Sequence, residues 1–298
     1  MGKHLTVFAS SVVPPPLPFG EVRSVPGRGE IFLRRFGRDN GGSAAAPVLL
    51  LHGWQATADT NFFPLYGPLG DDRVVIAPDL RGHGRSLYPE EPFTLEDAAD
   101  DAAALLHDLG IAHAVVLGYS LGTAVAQVMV HRHRSLVDGL VLMGGELAPN
   151  RRPHEKLYDR WGGWLATAQR LTNGRHAAHR IVDKAKVENP DIEHLRGWLV
   201  REFERGHVAS LRAAGRALAR LDGRVIASHH QGLPVAVVVT ERDRLVRPKR
   251  QRDLAEAWNA DVVSLDADHD APITQPAAFV DAARDALRAV DDKVRVHA

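Results

Sequence analysis

HAVVLGYSLGTAVAQVMVHRH, residues 113–133, holds three patterns in succession. HAVVLG at 113–118 is a continuous apolar run, as expected of a strand covered on both faces. TAVAQVMVHRH at 123–133 is almost wholly apolar before its basic end, which suits a helix packed on a sheet. Between them Gly118, Tyr119, Ser120, Leu121 and Gly122 must turn the chain sharply. Gly-x-Ser-x-Gly alone can arise by chance in a chain with 26 glycines, and its bland reading is a serine capping the next helix. The strand–turn–helix context favours another reading. Such a turn lifts the Ser120 hydroxyl above the strand end and aims the Leu121 N–H at a developing oxyanion.

The flanking sequence repeats this grammar. PVLLLHG at 47–53 and DRVVIAPD at 72–79 read as buried strands, and EIFLRRFG at 30–37 as an earlier, imperfectly alternating one. TLEDAADDAAALLHDLG at 94–110 has helical spacing, with Thr94 and Asp97 as a capping pair and Gly110 as its stop. DGLVLMGG at 138–145 is a further strand. From about 147 to 205 the rhythm stops, and the segment holds Trp161 and Trp164 among helix-like pieces. A strand, helix, strand and final helix follow in LPVAVVVTERD, QRDLAEAW, ADVVSLD and QPAAFVDAARDALRAV. The order predicts an α/β protein with a mostly parallel central sheet, whose core is 25–146 plus 206–290. Residues 147–205 are expected to form a helical cap insertion, and 1–24 an extended leader through the prolines at 14–18 rather than a packed element.

If Ser120 is a nucleophile, it needs a base and the base needs an orienting acid. Sixteen histidines make residue type a poor guide, but His269 follows a strand-like segment and precedes the final helix. Asp243 follows PVAVVVTER at another strand end, which gives the chain order Ser120, Asp243, His269. Glu241, two residues earlier, is the alternative acid should the loop register differ. The Trp54 N–H, after Gly53, is the expected second oxyanion donor, with His52 organising that loop. Trp54, Tyr119, Trp161 and Trp164 are candidate substrate-pocket residues, although packing is an equally ordinary role for the Trp54 indole. Asp266, Asp268 and Asp270 crowd His269; one histidine among short-spaced acids lacks a metal signature and reads as a solvated acidic loop.

Composition narrows the partners. Among 298 residues, 37 basic and 37 acidic side chains cancel, which argues against nucleic acid or an anionic membrane as the main partner. Cysteine is absent, excluding disulfides, thiol catalysis and cysteine-ligated metal. No run approaches the roughly 18 apolar residues of a membrane span. A cytoplasmic protein acting on a small molecule is expected, with secretion and oligomeric state left open and no metal or organic cofactor required.

Together the ordered motifs resemble the α/β-hydrolase superfamily. HGW at 52–54 is similar to its oxyanion loop and APDLRGHGRS at 77–86 to its glycine-rich turn after a core strand. GYSLG is similar to its nucleophile elbow, and TERDRLV at 240–246 and ADHDAPI at 267–273 to its acid and histidine regions. The resemblance covers about residues 25–290. It implies a capped serine carboxylester hydrolase working through an acyl-enzyme. A carbon–carbon hydrolase of vinylogous diketones, an aminopeptidase and a noncatalytic binding protein remain alternatives. The aspartate between 267 and 269 departs from the family's usual glycine–histidine pair, and Asp79, Arg81 and His83 are expected to organise their turn.

Overall fold

The computed structural model describes residues 12–38, 45–148, 174–188 and 190–297. Its centre is an eight-stranded sheet in the order β1-β2-β4-β3-β5-β6-β7-β8. The strands are β1 Gly20–Val25, β2 Gly29–Phe36, β3 Val48–Leu51, β4 Val75–Pro78, β5 Ala114–Tyr119, β6 Val137–Met143, β7 Val235–Thr240 and β8 Asp261–Leu265. Strands β3 to β8 pair in parallel, whereas β1–β2 and β2–β4 are antiparallel. The expected mostly parallel α/β architecture is therefore present.

The continuous apolar runs are explained by two-sided burial. Every residue of β3, β4, β5 and β7 is buried. Alternate side chains enter opposite layers, as the pleat requires. Ala114 and Val116 of β5 join the layer of α2 (Leu95–Asp108) and α3 (Leu121–Arg132). Val115, Leu117 and Tyr119 join the opposite layer, with α1 (Ala58–Gly70) and the C-terminal Pro276–His297 helix. Burying one such Val or Leu contributes about 1.5–3 kcal/mol, so the sheet centre dominates cohesion.

Between β6 and β7 lie α4 (Gly174–Glu188), α5 (Arg196–Phe203), α6 (Val208–Leu218) and α7 (Gly223–His229). After β7 come α8 (Pro248–Trp258), the short α9 (Ala271–Thr274) and the closing helix α10 (Pro276–His297). A third apolar cluster joins Val182 and Ala185 of α4 to Trp198 and Leu199 of α5 and to Ile273 of α9. It attaches the inserted helices to the loop that follows His269. Among the described residues no helix is long and apolar enough to cross a membrane.

Two elements depart from the sequence reading. Strand β1 falls within the stretch assigned to the leader, where charges at Glu21 and Arg23 mask an edge strand's one-sided pattern. Its turn before β2 uses Gly27 at φ 73°. Helix α1 lies where the sequence reading assigns no element: it holds Pro64 and Pro68, a reciprocal Thr57–Thr60 capping box starts it, and seven buried residues, among them Phe62 and Leu65, hold it in place. The proline stretch itself has no regular secondary structure, yet it is packed: Pro15 is buried and Leu17 lies against two apolar clusters.

Candidate active site

The end of β5 explains Ser120. Its backbone takes φ 53° and ψ −115°, a region costly for a residue with a Cβ, and its side chain makes no cap hydrogen bond to α3. The capping role is therefore absent. The turn is held by the Ser120 N–H donating to Met143 O at 2.9 Å, and by Thr123 N–H and Oγ1 donating to Ser120 O at 2.9 and 2.7 Å. Close approach needs Gly122, because a Cβ there would stand 1.8 Å from Leu51 O. Leu121 begins α3, so its N–H has no acceptor within the helix and sits at the positive end of the dipole.

Three side chains from distant loops converge on this turn. Ser120 Oγ lies 3.0 Å from His269 Nε2, and His269 Nδ1 lies 2.8 Å from Asp243 Oδ2. Asp243 is fully buried, while the His269 side chain keeps 18 % exposure. Asp243 Oδ2 also accepts from Thr240 Oγ1 at 2.8 Å and Gln251 Nε2 at 3.1 Å, and Oδ1 from the Leu245 and Val246 N–H groups, each at 2.8 Å. With only donors around it, the carboxylate accepts from His269 Nδ1–H, and Nε2 is left to accept from Ser120. Glu241 faces elsewhere, bound to Arg252 at 2.6 Å and Ser264 at 2.9 Å.

The loop after β3 abuts the same turn. A Cβ on Gly53 would lie 3.3 Å from Ser120 Cβ, and the Gly53 N–H donates to Asn61 Oδ1 at 2.7 Å. His52 is wholly buried; Nδ1–H donates to Gly53 O at 2.8 Å and Nε2 accepts from Leu80 N–H at 2.9 Å. Burial, reinforced by His83 nearby, holds its pKa down at about 3, so it stays neutral and braces the loop. Asp79 ties that loop to the next by accepting from Ala58 N–H at 2.8 Å and Arg85 N–H at 2.9 Å; burial raises its pKa to about 6 against the pull of Arg85.

The aromatic candidates fare differently. The Trp54 indole is half-buried against α6, with Nε1 donating to Leu211 O at 2.8 Å. Tyr119 lies beneath the histidine rather than on an open wall: it is 2 % exposed and its hydroxyl donates to His269 O at 2.5 Å. Trp161 and Trp164 lie outside the described residues.

The acids around His269 are not a free solvated loop. Lys184 of α4 contacts Asp268 Oδ2 at 3.0 Å and Asp270 Oδ1 at 2.8 Å, and Asp268 also binds Arg244. Only Asp266 is widely exposed, and no group of three or more metal-binding side chains occurs among the described residues. Sequence reasoning missed Lys184 and Glu202. Glu202 of α5 is 2 % exposed and binds Arg85 at 2.6 Å, Arg205 at 3.0 Å and Thr57 Oγ1 at 3.2 Å, fastening the inserted helices to the core. The available signal was chemical: clustered, partly shielded carboxylates call for cations from elsewhere in the chain.

Residues 46–276 match the sequence profile of the family described as alpha/beta hydrolase fold. A 2-(acetamidomethylene)succinate hydrolase of Mesorhizobium japonicum is 36% identical over 94 residues, 32% of this chain and 34% of that protein. The chain thus spans about a third of that curated relative's length. A pimeloyl-[acyl-carrier protein] methyl ester esterase of Neisseria meningitidis is 29% identical over 209 residues, 69% of this chain and 64% of that protein. Among solved structures, the enol-lactonase from Burkholderia xenovorans superposes with a TM-score of 0.73 at 24% identity, covering 90% of this chain and 100% of that one. At that identity the likeness is one of fold.

Proposed function

Since the chain belongs to the alpha/beta hydrolase fold family, we propose that it is a serine hydrolase cleaving a small or medium, largely apolar carboxylic ester. The observation that carries this reading is the continuous contact from Asp243 through His269 to Ser120, at 2.8 and 3.0 Å, on a strained turn that does not cap its helix. In the proposed cycle His269 Nε2 takes the Ser120 proton as Oγ attacks the ester carbonyl carbon. The Asp243 carboxylate fixes the tautomer and stabilises the imidazolium. The Leu121 and Trp54 N–H groups receive the oxyanion, the alcohol leaves with the proton from His269, and an acyl-Ser120 remains. His269 then activates water, which attacks the acyl carbon and releases the carboxylic acid. The residues in this scheme complete the cycle without calling on a further group.

A small-molecule substrate would enter between the sheet's carboxyl edge and the inserted helices, which for 147–205 we take as a cap. The aminopeptidase alternative is weakened because Glu146, three residues after the end of β6, is engaged by Arg250 at 2.7 Å. The side chains of Glu155 and Glu188 lie outside those described. The test compares kcat/KM on p-nitrophenyl esters, vinylogous diketones and amino-terminal peptides at one pH, with S120A as background. Ester turnover should dominate. S120A-sensitive cleavage of diketones with negligible ester turnover would transfer the reaction to the carbon–carbon class and refute the ester assignment.

A further inference from the structure

The loop that carries His269 is held on every polar side. Its ring nitrogens meet Asp243 and Ser120, its carbonyl accepts from Tyr119, and its N–H donates to Asp268 Oδ1 at 2.8 Å. Asp268 reaches further. The same Oδ1 accepts from Arg244 N–H at 3.1 Å, and Oδ2 accepts from Arg244 Nε at 2.8 Å. Arg244 directly follows Asp243, so one carboxylate joins the backbone of the acid loop to the backbone of the histidine loop.

Lys184 completes the junction from the inserted helices. Its Nζ bridges Asp268 and both oxygens of Asp270, the residues on either side of His269. The contact is partly shielded, at 30% exposure for Lys184 and 16% and 18% for the two acids. Burial opposes the Asp268 charge, yet the His269 N–H, Lys184 and Arg244 outweigh it and hold the carboxyl below its usual range. Within one turn of Lys184 on α4, Val182 and Ala185 belong to the apolar cluster that includes Ile273, four residues after His269, and Ile181 packs against it. Ionic and apolar contacts thus seat α4 on the histidine loop from neighbouring points.

We propose that Lys184 is a positioning residue for the acid–base pair: docked on Asp268 and Asp270, it holds the His269 loop in register with Asp243 and Ser120. The proposal rests on the serine-hydrolase reading above. Lys184 touches neither substrate nor reacting atoms; it acts through the acids. Its removal leaves two carboxylates without their shared cation beside the histidine, and the loop relaxes away from the geometry in which Nε2 meets Oγ.

The test uses the full chain and four variants: K184M, K184R, K186M and K184M in a D243N background, each checked for folding by circular dichroism and Tm. Turnover of a p-nitrophenyl ester and the rate of Ser120 labelling by a fluorophosphonate are both read. K184M should lower kcat and the labelling rate about tenfold while KM stays within about twofold, and K184R should recover most of that loss. K186M, on the same helix and 55% exposed, should match the parent. Once D243N has already disabled His269 as a base by fixing the wrong tautomer, K184M should add less than about twofold. K184M within about twofold of the parent, K184R no better than K184M, or an undiminished loss in the D243N background would each overturn the proposal. A parent without S120A-sensitive turnover would remove the serine-hydrolase reading itself, and the proposal with it.

Discussion

Ser120 and His269 meet at 3.0 Å, but different forces bring them there. The serine side is made of backbone: a buried strand, a strained φ, and glycines that let α3 approach the end of β3. The histidine side is made of side chains: Asp243, Asp268, Tyr119 and Lys184 fasten a loop that has little regular structure of its own. Close packing has almost no intermediate states, so the first side should fail all at once. Side-chain fastenings can be removed singly, so the second should lose function by degrees.

The largest effect on function is expected from D243N. The amide keeps the shape but donates toward His269 Nδ1 and favours the wrong tautomer, so kcat should fall about 10³–10⁴-fold with the fold retained. E241Q, whose parent side chain faces Arg252 and Ser264, should remain near the parent. Equal turnover in D243N and E241Q would break the assignment of roles on the histidine side.

Next in size is a change on the serine side. G122A places a Cβ into Leu51 O, and the shift of α3 or β3 needed to admit it should cost about 3 kcal/mol in chemical denaturation. Activity and stability should fall together. A G122A protein with the parent's midpoint and lowered kcat would blur the distinction between the two sides.

Acid should weaken the serine side more gently. His52 and His83 are held by burial at about 3 and about 4, below the ordinary 6.5. Unfolded chains take up these two protons near pH 6.5 while the native state refuses them, so their contribution is complete above 6.5 and is lost as pH falls toward 4 and 3. Asp79, raised to about 6, works in the opposite direction between 6 and its ordinary 3.8. Two histidines against one aspartate leave about one proton, a loss of about 1.4 kcal/mol per pH unit between pH 6 and 4. Urea midpoints measured at pH 6.0 and 5.0 check the slope. A flat profile would contradict burial of His52 and His83 as the source of the pH dependence.

The smallest effect is expected from Y119F. It removes one hydrogen bond to His269 O and should cost about 1 kcal/mol of stability, with kcat reduced a few-fold and KM little changed. A kcat equal to the parent's would show that the remaining partners hold the histidine without it.

The same contrast explains what was legible in the sequence. Buried strands and the tight turn leave local traces, such as the continuous apolar runs at 47–51 and 114–117 and glycines at fixed offsets around Ser120. Those traces located the sheet and the serine. Strand β1 and helix α1 were missed because an edge strand tolerates charge and a well-capped, well-buried helix tolerates proline, both decided by tertiary contact. The histidine loop was legible only in part. Its order after Asp243 is local, but the ammonium group that answers its acids comes from residue 184, 84 positions from Asp268, and no periodicity links the two. Tyr119 misled for a similar reason. Position next to the serine suggests a pocket wall, whereas the strand's alternation sends the ring into the opposite layer, under His269.

The central claim, that Ser120 is the nucleophile raised by His269, is tested most directly by mapping a fluorophosphonate adduct on the parent protein and measuring ester turnover in S120A alongside it. The expected result is a single adduct on Ser120, together with a loss of kcat/KM of at least about 10³-fold in a folded S120A protein. An adduct on another residue, or ester turnover in S120A equal to the parent's, would contradict it.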